Sequence, residues 1–159
     1  MCTFFMGGIM KYNNKYMNMA YDEALKALEI GEVPVGCVIV KDNKVIASGY
    51  NLKEKNNCII DHAEMNCIRI ASNKCNNWRL DGCDIYITLE PCPMCASAIK
   101  QARISNVYCG CVTNEDDSEL CRMVFEKNDR NSKVNFVSNL DSKRCGELME
   151  NFFKKRRNN

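Results

Sequence analysis

The spacing of apolar positions changes from helical to strand-like within the first fifty residues. From Tyr16 onward apolar side chains recur every three or four positions, which predicts a helix with one buried face. Gly31 lies where this helix should end, because glycine readily adopts the left-handed conformation that follows many helices. Two β-branched runs, Val35–Val40 and Val45–Gly49, flank the polar segment 41–44 and predict a β-hairpin.

The rest of the chain predicts helices that alternate with strands. Further helices are expected at His62–Ala71, from Cys92 or Pro93 to Ala102, and from Asp141 to Lys154–Arg157. Strands are expected at Asp84–Leu89, Asn106–Val112 and Lys133–Ser138. Asp61 is expected to cap the first of these helices, and Pro91 and Pro93 place the start of the second, because proline is tolerated only in a first turn. Strands followed by helices favour an α/β fold, a three-layer α/β/α sandwich on a mixed sheet of about five strands.

Length and composition indicate one ordinary domain. The chain has 159 residues, of which 46% are hydrophobic and 26% charged, with only 8 Gly and 3 Pro. These values exclude collagen-like, proline-rich and disordered classes. We expect residues 16–159 to form the domain and residues 1–15 to be an N-terminal extension. The net charge of +2 indicates that any contact with RNA is local rather than driven by bulk charge.

The cysteine content indicates a reduced, cytoplasmic protein. Twelve cysteines are many for this length, but a secreted disulfide scaffold is usually shorter and begins with a signal peptide. Residues 1–10 are apolar, yet no Lys or Arg precedes them and no small-residue cleavage site follows. Several cysteines lie in apolar runs, where cysteine packs as a small hydrophobic residue. No apolar run approaches the roughly 20 residues of a membrane span.

Residues able to bind a metal fall at the predicted starts of two helices. Cys92 and Cys95 are three positions apart and therefore lie on the same side of one helical turn. His62 is the only histidine, so a site that uses it contains one imidazole and two thiolates. Zinc takes four ligands, so the fourth position is open to water, as in catalytic zinc sites. Glu64, two residues after His62, is placed to accept a proton from that water without binding the metal.

Each of these features has an ordinary structural explanation when it is taken alone. A single histidine at a helix start is usually a surface or capping residue. A Cys-x-x-Cys pair in a cysteine-rich chain can arise by coincidence or form a redox-active dithiol. The combination favours the zinc site, because a redox dithiol has no need of the His-x-Glu sequence thirty residues earlier.

The order His-x-Glu followed by Pro-Cys-x-x-Cys is the signature of zinc nucleobase deaminases. From about Tyr16 to Arg157 the chain resembles the bacterial tRNA-specific adenosine deaminases of the zinc-dependent cytidine/deoxycytidylate deaminase superfamily. The segments that carry the resemblance are Val33–Gly36, Ser48–Asn51, His62–Glu64, Thr88–Cys95 and Phe152–Arg157.

The resemblance implies a cytidine deaminase-like fold and a role for each matching residue. The implied zinc ligands are His62, Cys92 and Cys95, the implied proton shuttle is Glu64, and the implied contacts to the base are Asn51 and the backbone of Ala63, with the backbone of Cys92 beside the water. The implied reaction converts adenosine to inosine at the wobble position of a tRNA anticodon stem-loop. Members of this family are homodimers.

Two segments allow more than one interpretation. The family carries a Gly/Ala/Ser-rich loop and then a Leu-Asn-His segment where this chain has Thr113–Leu120 and 131–134. The acidic run Glu115–Glu119 is typical of a solvated helix start. Alternatively, it weakens binding to RNA, because its negative charge repels phosphate. The positive charges of Lys154–Arg157 are favourable at a helix C-terminus. Alternatively, they contact a phosphate backbone while Phe152 and Phe153 stack on bases.

Three hypotheses therefore follow from the sequence. The first is a zinc-dependent adenosine deaminase that acts on tRNA. The second is the same chemistry on a free base or nucleoside, such as guanine or cytosine, which the altered 113–132 region motivates. The third is a zinc-stabilised binding module without turnover.

Overall fold

The computed structural model describes residues 12–129 and 133–159. Its helices are α1 (Asn14–Glu29), α2 (Ala63–Cys75), α3 (Pro93–Gln101), α4 (Glu115–Glu126) and α5 (Ser142–Arg157). Its strands are β1 (Gly36–Lys41), β2 (Lys44–Tyr50), β3 (Cys83–Leu89), β4 (Asn106–Cys111) and β5 (Asn135–Val137). No helix within these described ranges is long and apolar enough to cross a membrane.

The sheet has the strand order β2-β1-β3-β4-β5 and is mixed. Strand β1 pairs antiparallel with both β2 and β3, whereas β4 pairs parallel with β3 and with β5. The carboxyl ends of β2, β3 and β4 therefore meet the amino end of β1 at one edge of the sheet. The chain enters α2, α3 and α4 from this edge, and the functional residues lie there.

Helices cover both faces of the sheet because alternate residues of each strand point to opposite sides. Val38, Val40, Tyr86 and Tyr108 pack with α1 in one cluster. The interleaved residues of the same strands, such as Ile39 and Ile87, pack with α2, α3 and α4 in a second cluster. Helix α5 lies on the α1 side, where Arg144 hydrogen-bonds Asn18. The predicted three-layer α/β/α sandwich is confirmed.

Most predicted elements are present with ends shifted by a few residues, and Gly31 follows α1 with the expected positive φ of 79°. The prediction that Asp61 caps α2 is wrong. The N-cap is His62, and the Asp61 carboxylate instead accepts hydrogen bonds from Asn56 and Arg69. The helical interpretation of Glu115–Glu119 is correct, because these residues form the first turns of α4.

The predicted N-terminal extension lies mostly outside the described residues, which begin at Tyr12. Tyr12 stacks on Tyr86 with 5.8 Å between the ring centroids, and α1 begins two residues later. Residues 131 and 132 also lie outside the described ranges, and Lys133 and Val134 lead into β5.

Candidate metal centre and active site

The N-termini of α2 and α3 bring the predicted metal ligands together. His62 is the N-cap residue of α2 and Cys92 that of α3, and neither side chain makes a capping hydrogen bond. Pro93 occupies the first turn of α3, where its missing N–H group leaves no helical bond unmade. The imidazole and the thiols of Cys92 and Cys95 are therefore free to face one another.

The three ligand atoms have the spacing that one zinc ion requires. His62 Nδ1 lies 3.5 Å from Cys95 Sγ and 3.7 Å from Cys92 Sγ. Ligand atoms of all three residues lie within 4.8 Å of one another. Tetrahedral zinc with Zn–S near 2.3 Å and Zn–N near 2.0–2.1 Å would separate sulfur from nitrogen by about 3.6 Å. The chain thus holds a His-Cys-Cys group that fits one zinc ion and leaves a fourth position open.

The contact between the Cys92 and Cys95 thiols shifts the pKa of both. The Cys95 thiol donates to Cys92, and this hydrogen bond together with the adjacent His62 imidazole lowers the pKa of Cys92 to about 4. The same hydrogen bond and burial raise the pKa of Cys95. The hydrogen bond to Cys92 also raises the pKa of His62. The centre therefore carries thiolate character at neutral pH, which is the form that binds metal.

Glu64 lies beside the ligands as a buried carboxyl group. It is 3% exposed, and burial raises its pKa to about 7. Together with His62 and Cys92 it lines a cavity of about 330 Å³. A carboxyl group that titrates near neutral pH can both accept and return a proton, so its position suits general acid–base chemistry.

The residues predicted to contact substrate line the same cavity. Ala63 is the first residue of α2, so its N–H group has no partner within the helix. Asn51 follows β2 and is 7% exposed, with its side chain bonded to Glu32 and to the Val33 carbonyl. The structure thus brings all six predicted site residues to one cavity or its immediate border.

Several lining residues were not predicted from the sequence. They are Lys53, Glu90, Thr113, Asn114 and Asp117. The acidic run that departs from the family pattern reaches this wall through Asp117, which lies in the first turn of α4. These residues are far apart in the chain: they come from the segments that follow β2, β3 and β4 and from the first turn of α4, and only the fold brings them together.

A groove of about 610 Å³ adjoins the cavity along α5. Thr113, Met149 and Phe153 border both spaces, and Lys143 and Arg157 lie along the groove. Of the two phenylalanines in the base-stacking alternative, Phe152 is 7% exposed and therefore buried, so its ring is not available to a base. Phe153 is 40% exposed and is available for stacking.

Comparison with known proteins agrees with this geometry. Residues 10–111 match the family model for the cytidine and deoxycytidylate deaminase zinc-binding region. The tRNA-specific adenosine deaminase of Bacillus subtilis (strain 168) is 38% identical over 149 residues, which cover 93% of this chain and 92% of that protein.

Two solved structures share the fold. One, from a study of A-to-I editing by tRNA:A34 deaminases at the wobble position of transfer RNA, has a TM-score of 0.78 and 34% identity, covering 86% of this chain and 99% of that chain. Guanine deaminase from Bacillus subtilis has a TM-score of 0.63 and 28% identity, covering 93% of this chain and 95% of that chain.

Proposed function

The chain belongs to the cytidine and deoxycytidylate deaminase family, and we propose that it deaminates adenosine to inosine at the wobble position of a tRNA anticodon. The observation that carries the proposal is the His62, Cys92 and Cys95 group with the buried Glu64 carboxyl beside it in one cavity. The similarity to tRNA-specific adenosine deaminases over nearly the whole chain supports the choice of substrate.

His62, Cys92 and Cys95 would hold one zinc ion. When bound, zinc lowers the pKa of a water molecule to about 7, so that a nucleophile is available at neutral pH. Glu64 accepts a proton from the attacking water and delivers it to ring nitrogen 1 of the adenine. Glu64 then takes the remaining proton of the hydroxyl group on carbon 6 and passes it to the 6-amino group, which leaves as ammonia while the C6 carbonyl of inosine forms.

Other cavity residues orient the base. The N–H group of Ala63, which has no partner within the helix, donates a hydrogen bond toward the base, and the Asn51 side chain also contacts the base. The target adenine reaches these groups only when it is turned out of the anticodon stack. A cavity of about 330 Å³ is large enough to hold one base.

The groove along α5 receives the adjoining nucleotides. Its exposed Phe153 ring offers a stacking surface at the border with the cavity. Lys143 and Arg157 supply positive charge for phosphates, although Glu147 and Glu150 line the same groove. Local cations of this kind are what a chain with a net charge of only +2 needs for binding RNA.

The test is inosine formation in an anticodon stem-loop with adenosine at the wobble position, with zinc content measured on the same sample. We expect wild type to form inosine and release ammonia in equal amounts. Glu64→Ala should keep zinc and fold but lose about 10²- to 10⁴-fold in rate. The exposed Glu126→Ala should behave as wild type. Zinc-loaded wild type that leaves the stem-loop unchanged would refute the proposal.

A guanine deaminase is the second candidate. The observation that favours it is Asp117 in the cavity wall, because a carboxylate accepts hydrogen bonds from the N–H groups of guanine. Turnover of free guanine without turnover of the stem-loop would establish this candidate. Release of ammonia from neither substrate would favour a binding module.

We propose in addition that the protein is a cytoplasmic homodimer. Exposed apolar side chains lie on the outer helices of one face, with Ile70 on α2 45% exposed and Met123 on α4 63% exposed. All eleven described cysteines are free thiols, which agrees with a reducing compartment. Light scattering should give twice the 18.2 kDa chain mass, and Met123→Glu should lower it. A monomeric wild type would contradict the dimer.

A further inference from the structure

Two buried glutamates hydrogen-bond the walls of the active-site cavity, although neither is a predicted zinc ligand or proton carrier. Glu32 is 1% exposed and lies between α1 and β1. Glu90 is 7% exposed and follows β3. Burial of a carboxylate is costly unless hydrogen bonds compensate for lost hydration, so the partners of each group show what it holds.

Glu32 holds the wall that follows β2. One carboxylate oxygen accepts the backbone N–H of Lys55 at 2.6 Å, and the other accepts the Asn51 amide nitrogen at 3.3 Å. A carboxylate can only accept, so the nitrogen of the Asn51 amide must face Glu32 rather than the oxygen. The Asn51 oxygen accepts the backbone N–H of Lys53 at 3.2 Å. Glu32 thereby determines how Asn51 presents its amide group to the cavity.

Glu90 holds the wall that follows β4. Its Oε1 accepts the Thr113 hydroxyl at 3.0 Å and the Asn114 N–H at 2.9 Å, and its Oε2 accepts the Thr113 N–H at 3.0 Å. Asn114 in turn caps α4 by accepting the N–H groups of Asp116 and Asp117. The orientation of the first turns of α4, including Asp117 in the cavity wall, therefore depends on Glu90.

These two anchors lie on opposite sides of the cavity. Residues 51–55 follow β2 and residues 113–114 follow β4, and both β1 and β3 lie between those strands. The backbone N–H groups of Lys55, Thr113 and Asn114 lie outside strand ladders and donate to these carboxylates. We propose that Glu32 and Glu90 are positioning residues that hold the two walls of the cavity at the separation the substrate base requires.

This proposal rests on the proposed function for its kinetic test. Glu32→Gln and Glu90→Gln each place an amide N–H group against a backbone or side-chain donor, at almost constant volume. We expect the KM for the anticodon stem-loop to rise about tenfold or more with unchanged zinc content. The matched control is Glu23→Gln, a glutamate that is 7% exposed but pairs with Lys26 on α1 away from the cavity. Its kinetics should equal those of wild type.

A double-mutant cycle separates positioning from general destabilisation. Because Glu32 acts partly through Asn51, the double variant Glu32→Gln with Asn51→Ala should raise KM by clearly less than the product of the two single effects, whereas independent effects would multiply in full. Full multiplication of the two effects would overturn the role of Glu32. A kcat/KM within twofold of wild type in Glu32→Gln or Glu90→Gln would overturn the role of the glutamate that was replaced.

Amide hydrogen exchange tests the same proposal without any substrate. Exchange should become faster at residues 53–57 in Glu32→Gln and at residues 113–118 in Glu90→Gln. In the Glu23→Gln control, exchange in both segments should equal that of wild type. Unchanged exchange in these segments refutes the proposal even if the stem-loop is not a substrate. If a Gln variant does not fold, Glu32→Asp or Thr113→Val replaces it. Thr113→Val removes only the hydroxyl bond to Glu90, and the same criteria apply.

Discussion

Replacement of Gly36 by alanine should strongly destabilise the fold, because α1 lies directly against this residue. A Cβ atom at Gly36 would lie 2.0 Å from the Ala20 carbonyl oxygen, 2.3 Å from the Ala24 nitrogen and 2.9 Å from the Glu23 carbonyl carbon. All three atoms belong to the backbone of α1 and cannot rotate away as a side chain could. Ordinary contacts begin near 3.4 Å, so the helix would have to withdraw by about 1.4 Å.

The loss of unfolding free energy in Gly36→Ala follows from these contacts. Overpacking of a core usually costs about 1–3 kcal/mol, and a clash with backbone atoms belongs at the upper end of that range. The shift would also disturb the packing of Ala20 and Ala24, both 0% exposed, and the bond from the Gly36 N–H to the Thr88 hydroxyl at 3.1 Å. We expect Gly36→Ala to lose about 3 kcal/mol of unfolding free energy.

Urea denaturation measures this loss. With a slope of about 2 kcal/mol per molar, the midpoint should fall by about 1.5 M while the slope stays constant. Gly146→Ala is the matched control, because a Cβ there meets nothing within 4 Å and alanine is favoured inside α5. That variant should gain about 0.5–1 kcal/mol. A midpoint for Gly36→Ala within about 0.3 M of wild type would refute the packing argument.

Three further substitutions test other parts of the structure. Cys95→Ser should lower zinc affinity by more than about 100-fold, since loss of an outer-shell partner alone costs 10- to 100-fold, and stoichiometric zinc after dialysis would contradict the assigned ligand set. Lys100→Met should lower the free energy of unfolding by about 3 kcal/mol. The Lys100 side chain is 4% exposed, and its ammonium group donates to the carbonyls of Val124 and Lys127 at the end of α4. An unchanged urea midpoint would disprove this expectation. Phe153→Ala should weaken stem-loop binding by about 1–3 kcal/mol without changing the melting temperature, and unchanged affinity in a titration would exclude base stacking on this ring.

The helices and strands could be predicted where local signals were strong. Helix α1 has a regular apolar period and a terminal glycine, and Pro93 marks the start of α3. Helix α4 has weaker signals, because two of its three buried residues are Ser118 and Cys121, small side chains that an apolar pattern does not register. Its Asn114 cap and acidic first turn were the available indication.

Capping at the start of α2 shows how a local rule fails. Asp61 is a residue type that commonly caps helices, yet its carboxylate bonds Asn56 and Arg69 and leaves the N-cap position to His62. The outcome serves the site, because it places the imidazole at the helix start beside the two thiols. A capping rule considers only the residues next to the helix start in the chain, whereas in the fold Asp61 has other hydrogen-bond partners that compete for its carboxylate.

The chemistry of the centre could be predicted from sequence, because each half of it is a local pattern of distinctive residue types: the single histidine with a glutamate two residues later, and two cysteines one helical turn apart. The walls of the cavity, by contrast, are formed by contacts that exist only in the folded chain. Glu32 lies 23 residues from Lys55, and Glu90 lies 23 residues from Thr113. Hydrogen bonds between such distant segments form only after the sheet has aligned the ends of its strands, so their partners cannot be read from local pattern.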